Sequence, residues 1–414
     1  MRLMSAFAMI SVLGLAAQSL GDWPQFLGPN RDGTAPAEAE LKLPWPKAGP
    51  PIAWQRTVGA GFSGPVVAGE RLILFHRVGE EEVVECLHAV SGKLNWKFAY
   101  PTHYRDEFGF DEGPRATPCI AGSQVFTLGA EGVLHALDLA TGKQLWHRDL
   151  NGDYGVKKGF FGVGTSPLVV GQRVIVNVGG REAKAGVVAL DRLTGKEAWR
   201  ATDHEASYAS PIVARLNDKQ SIVVFTREGP VGLDAESGQV QFSRRWRARI
   251  NASVNAATPL ALDGHLFVTT SYGVGALLLR PTREGLAEVW SNDESLSSHY
   301  NTPVRLGEQL YGIDGRQEAG AELRCIDWKT GKVRWTRPRF GCATLILVGK
   351  HVLCLTESGE LVAIEANPTE YTELARAVIL EKPVRAHPAL AHGRLFARDE
   401  RKLICAELIP KPGR

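Results

Sequence analysis

One eleven-residue phrase recurs five times along the chain and constrains the fold more than any other feature. Ala136, Asp138, Thr141, Gly142, Lys143 and Trp146 return at the same spacing as Ala189, Asp191, Thr194, Gly195, Lys196 and Trp199. They return again as Cys325, Asp327, Thr330, Gly331, Lys332 and Trp335, with looser copies from Cys86 to Trp96 and from Gly232 to Phe242. The residue types spell a β-hairpin. Asp and Thr or Ser hydrogen-bond the turn backbone, Gly supplies positive φ, and the aromatic four residues later docks on a neighbouring sheet.

A second anchor precedes each copy: a small or hydroxyl residue before proline. It occurs at Gly64-Pro65, Thr117-Pro118, Ser166-Pro167, Ser210-Pro211, Thr258-Pro259 and Thr302-Pro303, then at His387-Pro388, with Thr344-Leu345 in the remaining slot. Successive anchors lie 42 to 53 residues apart, room for a four-stranded unit, and there are eight of them. The last unit runs out of chain after Leu408, whereas Trp54, near the start, carries the docking tryptophan that this unit lacks. The expected fold is therefore all-β: an eight-bladed β-propeller of four-stranded antiparallel blades, the ring closed by an N-terminal strand that completes the last blade. A linear solenoid would need polar caps at both ends rather than one split repeat. On this alignment Cys86, Cys325 and Cys405 fill the slot of Ala136 and Ala189, which makes them small core residues, and Trp96, Trp146, Trp199, Trp290 and Trp335 become dowels between blades.

The 414-residue chain divides into a signal peptide (1–21), an extended N-terminal segment (22–50) and the propeller (51–414). Arg2, the apolar stretch from Leu3 to Ala17, and small residues at Ala17, Ser19 and Gly21 read as a cleavable secretory signal, too short and interrupted to span a bilayer. No later segment is apolar enough for a transmembrane helix, so the mature chain is expected to be periplasmic or secreted, as a monomer. The three methionines (Met1, Met4, Met9) leave with the signal, and no cysteine lies near the cleavage site to take a lipid. Six cysteines in an oxidising compartment permit disulfides, but their spacing matches no zinc or haem pattern. A net charge of +3 excludes a surface dominated by attraction to nucleic acid.

The hairpin phrase resembles the tryptophan-docking motif of the quinoprotein, or PQQ-repeat, β-propellers, and the likeness covers nearly all of the mature chain. No Trp-Asp dipeptide occurs, unlike WD40 propellers of similar period. The opening from Asp22 to Gly33 (DWPQFLGPNRDG) also resembles the start of many exported PQQ-repeat proteins. The resemblance implies one of two functions: a BamB-type scaffold in outer-membrane protein assembly, or an alcohol dehydrogenase that binds pyrroloquinoline quinone (PQQ) and calcium. The chain departs from the dehydrogenases in having no adjacent cysteine pair, no haem site and no long enclosing insertions. It departs from the assembly factors in having no lipidation cysteine.

In a propeller, the loops entering the innermost strands ring a central funnel. Three positions before each anchor proline stand Phe62, Arg115, Gly164, Tyr208, Ala256, Tyr300, Cys342 and Arg385, with Asn255 and His299 one position earlier than two of them. Arg115, Arg385, Tyr208, Tyr300, Asn255 and His299 are the candidate ligand-binding residues, suited to a carboxylate or other planar anion. The other reading is that they fill the funnel and bond one another or water. The loop from Pro101 to Arg115, rich in carboxylates and aromatics, is a second candidate, set against a solvated loop packed over the blade tops. The basic run Arg244 to Arg249 reads as a salt-bridged rim or a partner contact. Motifs of metalloproteases, α/β-hydrolases, P-loop and Rossmann enzymes are missing. The expectation is a binding or scaffold module of the cell envelope with no cofactor, its partners being envelope proteins or a small anionic ligand. The alternative is an oxidoreductase with PQQ and calcium in the funnel, and a hydrolase or lyase using the funnel stands third.

Overall fold

The computed structural model describes residues 21–35, 41–216, 219–283 and 285–409. The expected signal peptide lies outside these residues except for Gly21. The strands form eight four-stranded antiparallel sheets. Blades 1 to 7 are each built from four consecutive strands within 66–101, 119–149, 168–201, 212–243, 260–292, 304–337 and 343–378. Blade 8 takes three strands from 389–407 and its outermost strand from Ile52–Thr57, so the ring closes as expected. No described helix is long and apolar enough to cross a membrane.

The repeated phrase is the hairpin between the third and fourth strands. Asp138 Oδ1 accepts from the Thr141 amide at 2.9 Å and its hydroxyl at 2.7 Å, and Asp191, Asp234 and Asp327 do the same with Thr194, Ser237 and Thr330. Each docking tryptophan donates its indole N–H to a carbonyl of the next blade's turn: Trp54 to Ala89, Trp96 to Leu139, Trp146 to Arg192, Trp199 to Ala235, Trp290 to Trp328 and Trp335 to Asn367, at 2.8–3.1 Å. The turn glycine has two reasons to be glycine. Its φ is positive (+69° at Gly195), and a Cβ there would come within 2.8 Å of the Trp146 ring. Opposite the tryptophans, across the third strand, sit Cys405, Cys86, Ala136, Ala189 and Cys325, leaving room for the indole. All six cysteines are free and buried, and burial pushes the Cys325 and Cys405 thiols up to about 12. These thiols are packing residues.

A second belt runs round the axis from blade 1 to blade 6. The amide of Gly64 donates to Thr117 Oγ1, that of Thr117 to Ser166 Oγ, that of Ser166 to Ser210 Oγ, that of Ser210 to Thr258 Oγ1 and that of Thr258 to Thr302 Oγ1, all at 2.9–3.3 Å. The hydroxyl before each proline thus joins one blade to the next. Gly64 has no side chain because a Cβ would overlap the His387 carbonyl of blade 8.

The segment from Asp22 to Ala35 is a strap crossing one face of the ring. Trp23 exchanges backbone hydrogen bonds with Val67 of blade 1, and the Pro24 carbonyl accepts from Ile120 of blade 2. Gly33 and Ala35 exchange bonds with Leu347 of blade 7, while Gly33 lies against Val304 of blade 6. Asp22 Oδ1 takes the Gly69 amide at 2.8 Å and lies 2.9 Å from His392 Nε2 of blade 8. Arg31, 2% exposed, reaches the axis, donating to the Pro211 carbonyl of blade 4 at 2.6 Å, to the Pro167 carbonyl of blade 3 and to Gln25 Oε1 at 2.9 Å. Burial lowers its guanidinium to about 10, still charged at neutral pH.

Candidate functional site

The funnel ends in a cavity of about 210 Å³. Seven of the eight ring positions read from the sequence line it (Phe62, Arg115, Gly164, Tyr208, Ala256, Tyr300 and Arg385), and Cys342 does not. Of the six candidate ligand-binding residues, the structure brings five together here: Arg115, Tyr208, His299, Tyr300 and Arg385. Asn255 is turned away. It is 3% exposed, and its Nδ2 donates to the carbonyls of Thr226 at 2.9 Å and Trp246 at 3.2 Å. Asn255 thus faces the blade-top loops and pins them, whereas His299, at the equivalent place before Tyr300, lines the cavity.

The two arginines are not equivalent. Arg115 Nη2 donates to Asp106 Oδ2 at 3.1 Å and to the Asp111 carbonyl at 3.0 Å, so it clamps the 101–115 loop over the blade tops. Burial pushes the Asp106 carboxyl up, but amides of Asp111, Phe108 and Phe110 and the Arg115 cation outweigh it and hold the group below its usual range. Arg385 uses only Nε, which donates to Glu357 Oε1 at 2.8 Å, and no acceptor among the described residues meets its two Nη groups. Its guanidinium lies 5.3 Å from the ring centre of Phe62 and 4.9 Å from that of Phe110.

The tyrosines are engaged as well. Tyr300 donates to Glu357 Oε1 at 2.6 Å, and burial with the Glu357 charge keeps its phenol protonated far above the usual range. Tyr208 accepts the Phe161 amide at 2.8 Å. His299 shares a hydrogen bond of 2.8 Å with Tyr272, and burial lowers its pKa; burial brings His387 down to about 4, so both rings are neutral at neutral pH. Asn301 is the exception in this network: it lines the cavity, is 3% exposed, and neither amide atom has a partner among the described residues. Sequence reasoning missed Asn301, which sits one place after a ring position, and it missed Phe26 on the strap, Phe161 and Gln317. The aromatic walls are Phe26, Phe62, Phe110 and Phe161. Phe108 and Phe110, 52% and 39% exposed, cluster with Phe161 at the mouth.

Among the described residues no Asp or Glu lines the cavity, and Glu357 reaches it only through Arg385 and Tyr300. Calcium takes six to eight oxygens. Among the described residues, no three His, Cys, Asp or Glu side chains come together as metal ligands. The residues present therefore do not fit calcium-bound PQQ. A wider cleft of about 970 Å³ lies over blades 2 to 4, where charges pair among themselves, as in Arg227–Glu205 at 3.3 Å and Lys158–Glu107 at 2.9 Å. The basic run is a salt-bridged rim: Arg244 pairs with Glu288, and Arg245 and Arg247 both pair with Glu228.

These features define an eight-bladed propeller with an aromatic central pocket lined by two arginines. Residues 79–337 match the family model described as "Outer membrane protein assembly factor BamB", and the chain belongs to that family. It is 29% identical over 167 residues to the BamB of Kangiella koreensis, covering 40% of this chain and 37% of that protein. It is 33% identical over 129 residues to the quinohemoprotein alcohol dehydrogenase ADH-IIG of Pseudomonas putida, covering 30% of this chain and 17% of that one. The matches thus span well under two thirds of these two curated relatives. Among solved structures, BamB from Moraxella catarrhalis superimposes with a TM-score of 0.61 at 17% identity, over 87% of this chain and 99% of that one, which shows the shared fold.

Proposed function

We propose that this chain is a binding and scaffold module of the cell envelope, exported and monomeric, that engages envelope proteins and takes a small planar carboxylate into its funnel. Membership of the BamB family supports the scaffold role. The ligand reading is carried by one observation: in this aromatic cavity, neither the Arg385 Nη groups nor the buried Asn301 amide has a protein partner among the described residues. A guanidinium fork suits a carboxylate, aromatic walls suit a ring, and an amide suits a ring substituent. The donor set speaks against the oxidoreductase alternative, and PQQ and calcium are not expected as cofactors.

Calorimetric titration of the purified chain with benzoate tests the pocket. Saturable binding is expected, weakened about tenfold or more in Arg385→Ala, since a hydrogen bond to a charged group contributes about 1.5–3 kcal/mol. Arg115→Ala should act less, through the loop. Equal affinity in all three proteins would contradict the assignment. Export is checked by cell fractionation and N-terminal sequencing. The mature chain should still carry Asp22, whose carboxylate anchors the strap to blades 1 and 8.

A further inference from the structure

We propose that the N-terminal strap is part of the ligand pocket, and that Phe26 at its centre sets how long a ligand the funnel accepts. The inference rests on reading the funnel as a pocket and goes beyond it in assigning the floor. Phe26 is the strap residue that lines the cavity, and it meets His387 edge-to-face at 5.5 Å between ring centres. His387 lies two residues beyond Arg385, on the same entry to blade 8, so cation and floor are held by one short stretch of blade 8.

The strap is built to hold that ring in place. Backbone pairing with Val67 of blade 1 and Leu347 of blade 7 fixes it at two points, with blade 8 between them. Arg31 ties the part between them to the carbonyls before the innermost strands of blades 3 and 4. Leu27 and Arg31 both take left-handed backbone conformations, with φ of 61° and 57°. For residues with a Cβ this conformation is strained, and it persists only where surrounding contacts over-determine it. Gly28, φ +80°, folds the strap back so that the Trp23 ring packs on it within 2.9 Å of where a Cβ would stand. Trp23 is 1% exposed, so the fold-back is a packed element rather than a loose end. The channel is consequently blind: a ligand enters and leaves by the loop face, with its carboxylate at Arg385 and its far end against Phe26.

The test compares benzoate with the longer biphenyl-4-carboxylate by calorimetry in the full chain, in Phe26→Leu and in Phe26→Ala. The wild type should favour benzoate. Phe26→Ala should lose benzoate affinity by about five-fold, the order of one aromatic pair, while gaining affinity for the biphenyl. Phe26→Leu, which keeps an apolar floor, should hold the wild-type length preference and shows that the strap still seats. A length preference identical in wild type and Phe26→Ala, with benzoate bound by both, overturns the role of the strap. Failure of benzoate to bind any of the three overturns the pocket itself.

Discussion

The outer girdle and the axis of this molecule hold the same eight blades together by different means. On the girdle, one device is repeated: at six of the eight seams an indole donates to a turn carbonyl of the next blade, and at five of them it lies on that turn's glycine. At the axis, a belt of hydroxyls is overlaid by a strap whose contacts are each made once. Repeated elements leave a period in the sequence and carry stability, whereas the elements made once carry the site. Two seams depart from the girdle rule: Phe242 replaces tryptophan between blades 4 and 5, and Ala375 stands opposite Ala363 in blade 7.

The largest effect should come from the girdle. Trp146, 9% exposed and packed with Phe126, spans blades 2 and 3, and Trp146→Ala should destabilise the chain by about 3–5 kcal/mol in denaturant unfolding. A change below about 1 kcal/mol would mean that the blades do not depend on their dowels. Next, Arg31→Met removes a buried cation and leaves the carbonyls of Pro167 and Pro211 without its donors. It should cost about 1–3 kcal/mol and raise the proteolytic sensitivity of residues 22–35 more than that of the blades. Uniform sensitivity would place the strap within the same cooperative unit as the girdle and erase the distinction.

A smaller, shared effect concerns pH. Burial lowers His76 to about 3 and His135 and His387 to about 4, the first two within or between blades 1 and 2 and the last at the axis. The unfolded chain takes up these protons below about pH 6.5, whereas the folded chain stays neutral until near pH 4. Stability should therefore fall as pH drops from about 6.5 towards 4, and His135→Phe should flatten part of that slope. A slope of the opposite sign would show that these rings are charged in the fold.

Blade number, ring closure and the dowels were legible in the sequence because five copies of one phrase fix the offsets, and Trp54 stands where the last copy is missing. The ring of funnel residues was legible for the same reason: counting back from the prolines finds seven lining residues. What those residues do was not. Whether Arg115 or Arg385 is free depends on Asp106 and Glu357, which reach them from a loop and another strand end at no repeated spacing. Asn255 falls beside a ring position yet faces Thr226, whereas His299, at the same offset, lines the cavity, a difference that no repeated spacing encodes. The strap's phrase from Asp22 to Gly33 was visible as a motif, but its path beneath the funnel follows from contacts with separate blades, none of which recurs.

The most direct test of binding against redox chemistry is calorimetric titration of the purified chain with PQQ, with and without calcium, followed by a dye-linked alcohol oxidation assay. A cavity with no lining carboxylate and no metal-ligand cluster among the described residues predicts no calcium-dependent saturation and no turnover. Saturable PQQ binding that requires calcium and supports alcohol oxidation would contradict the account and make the funnel a quinone site.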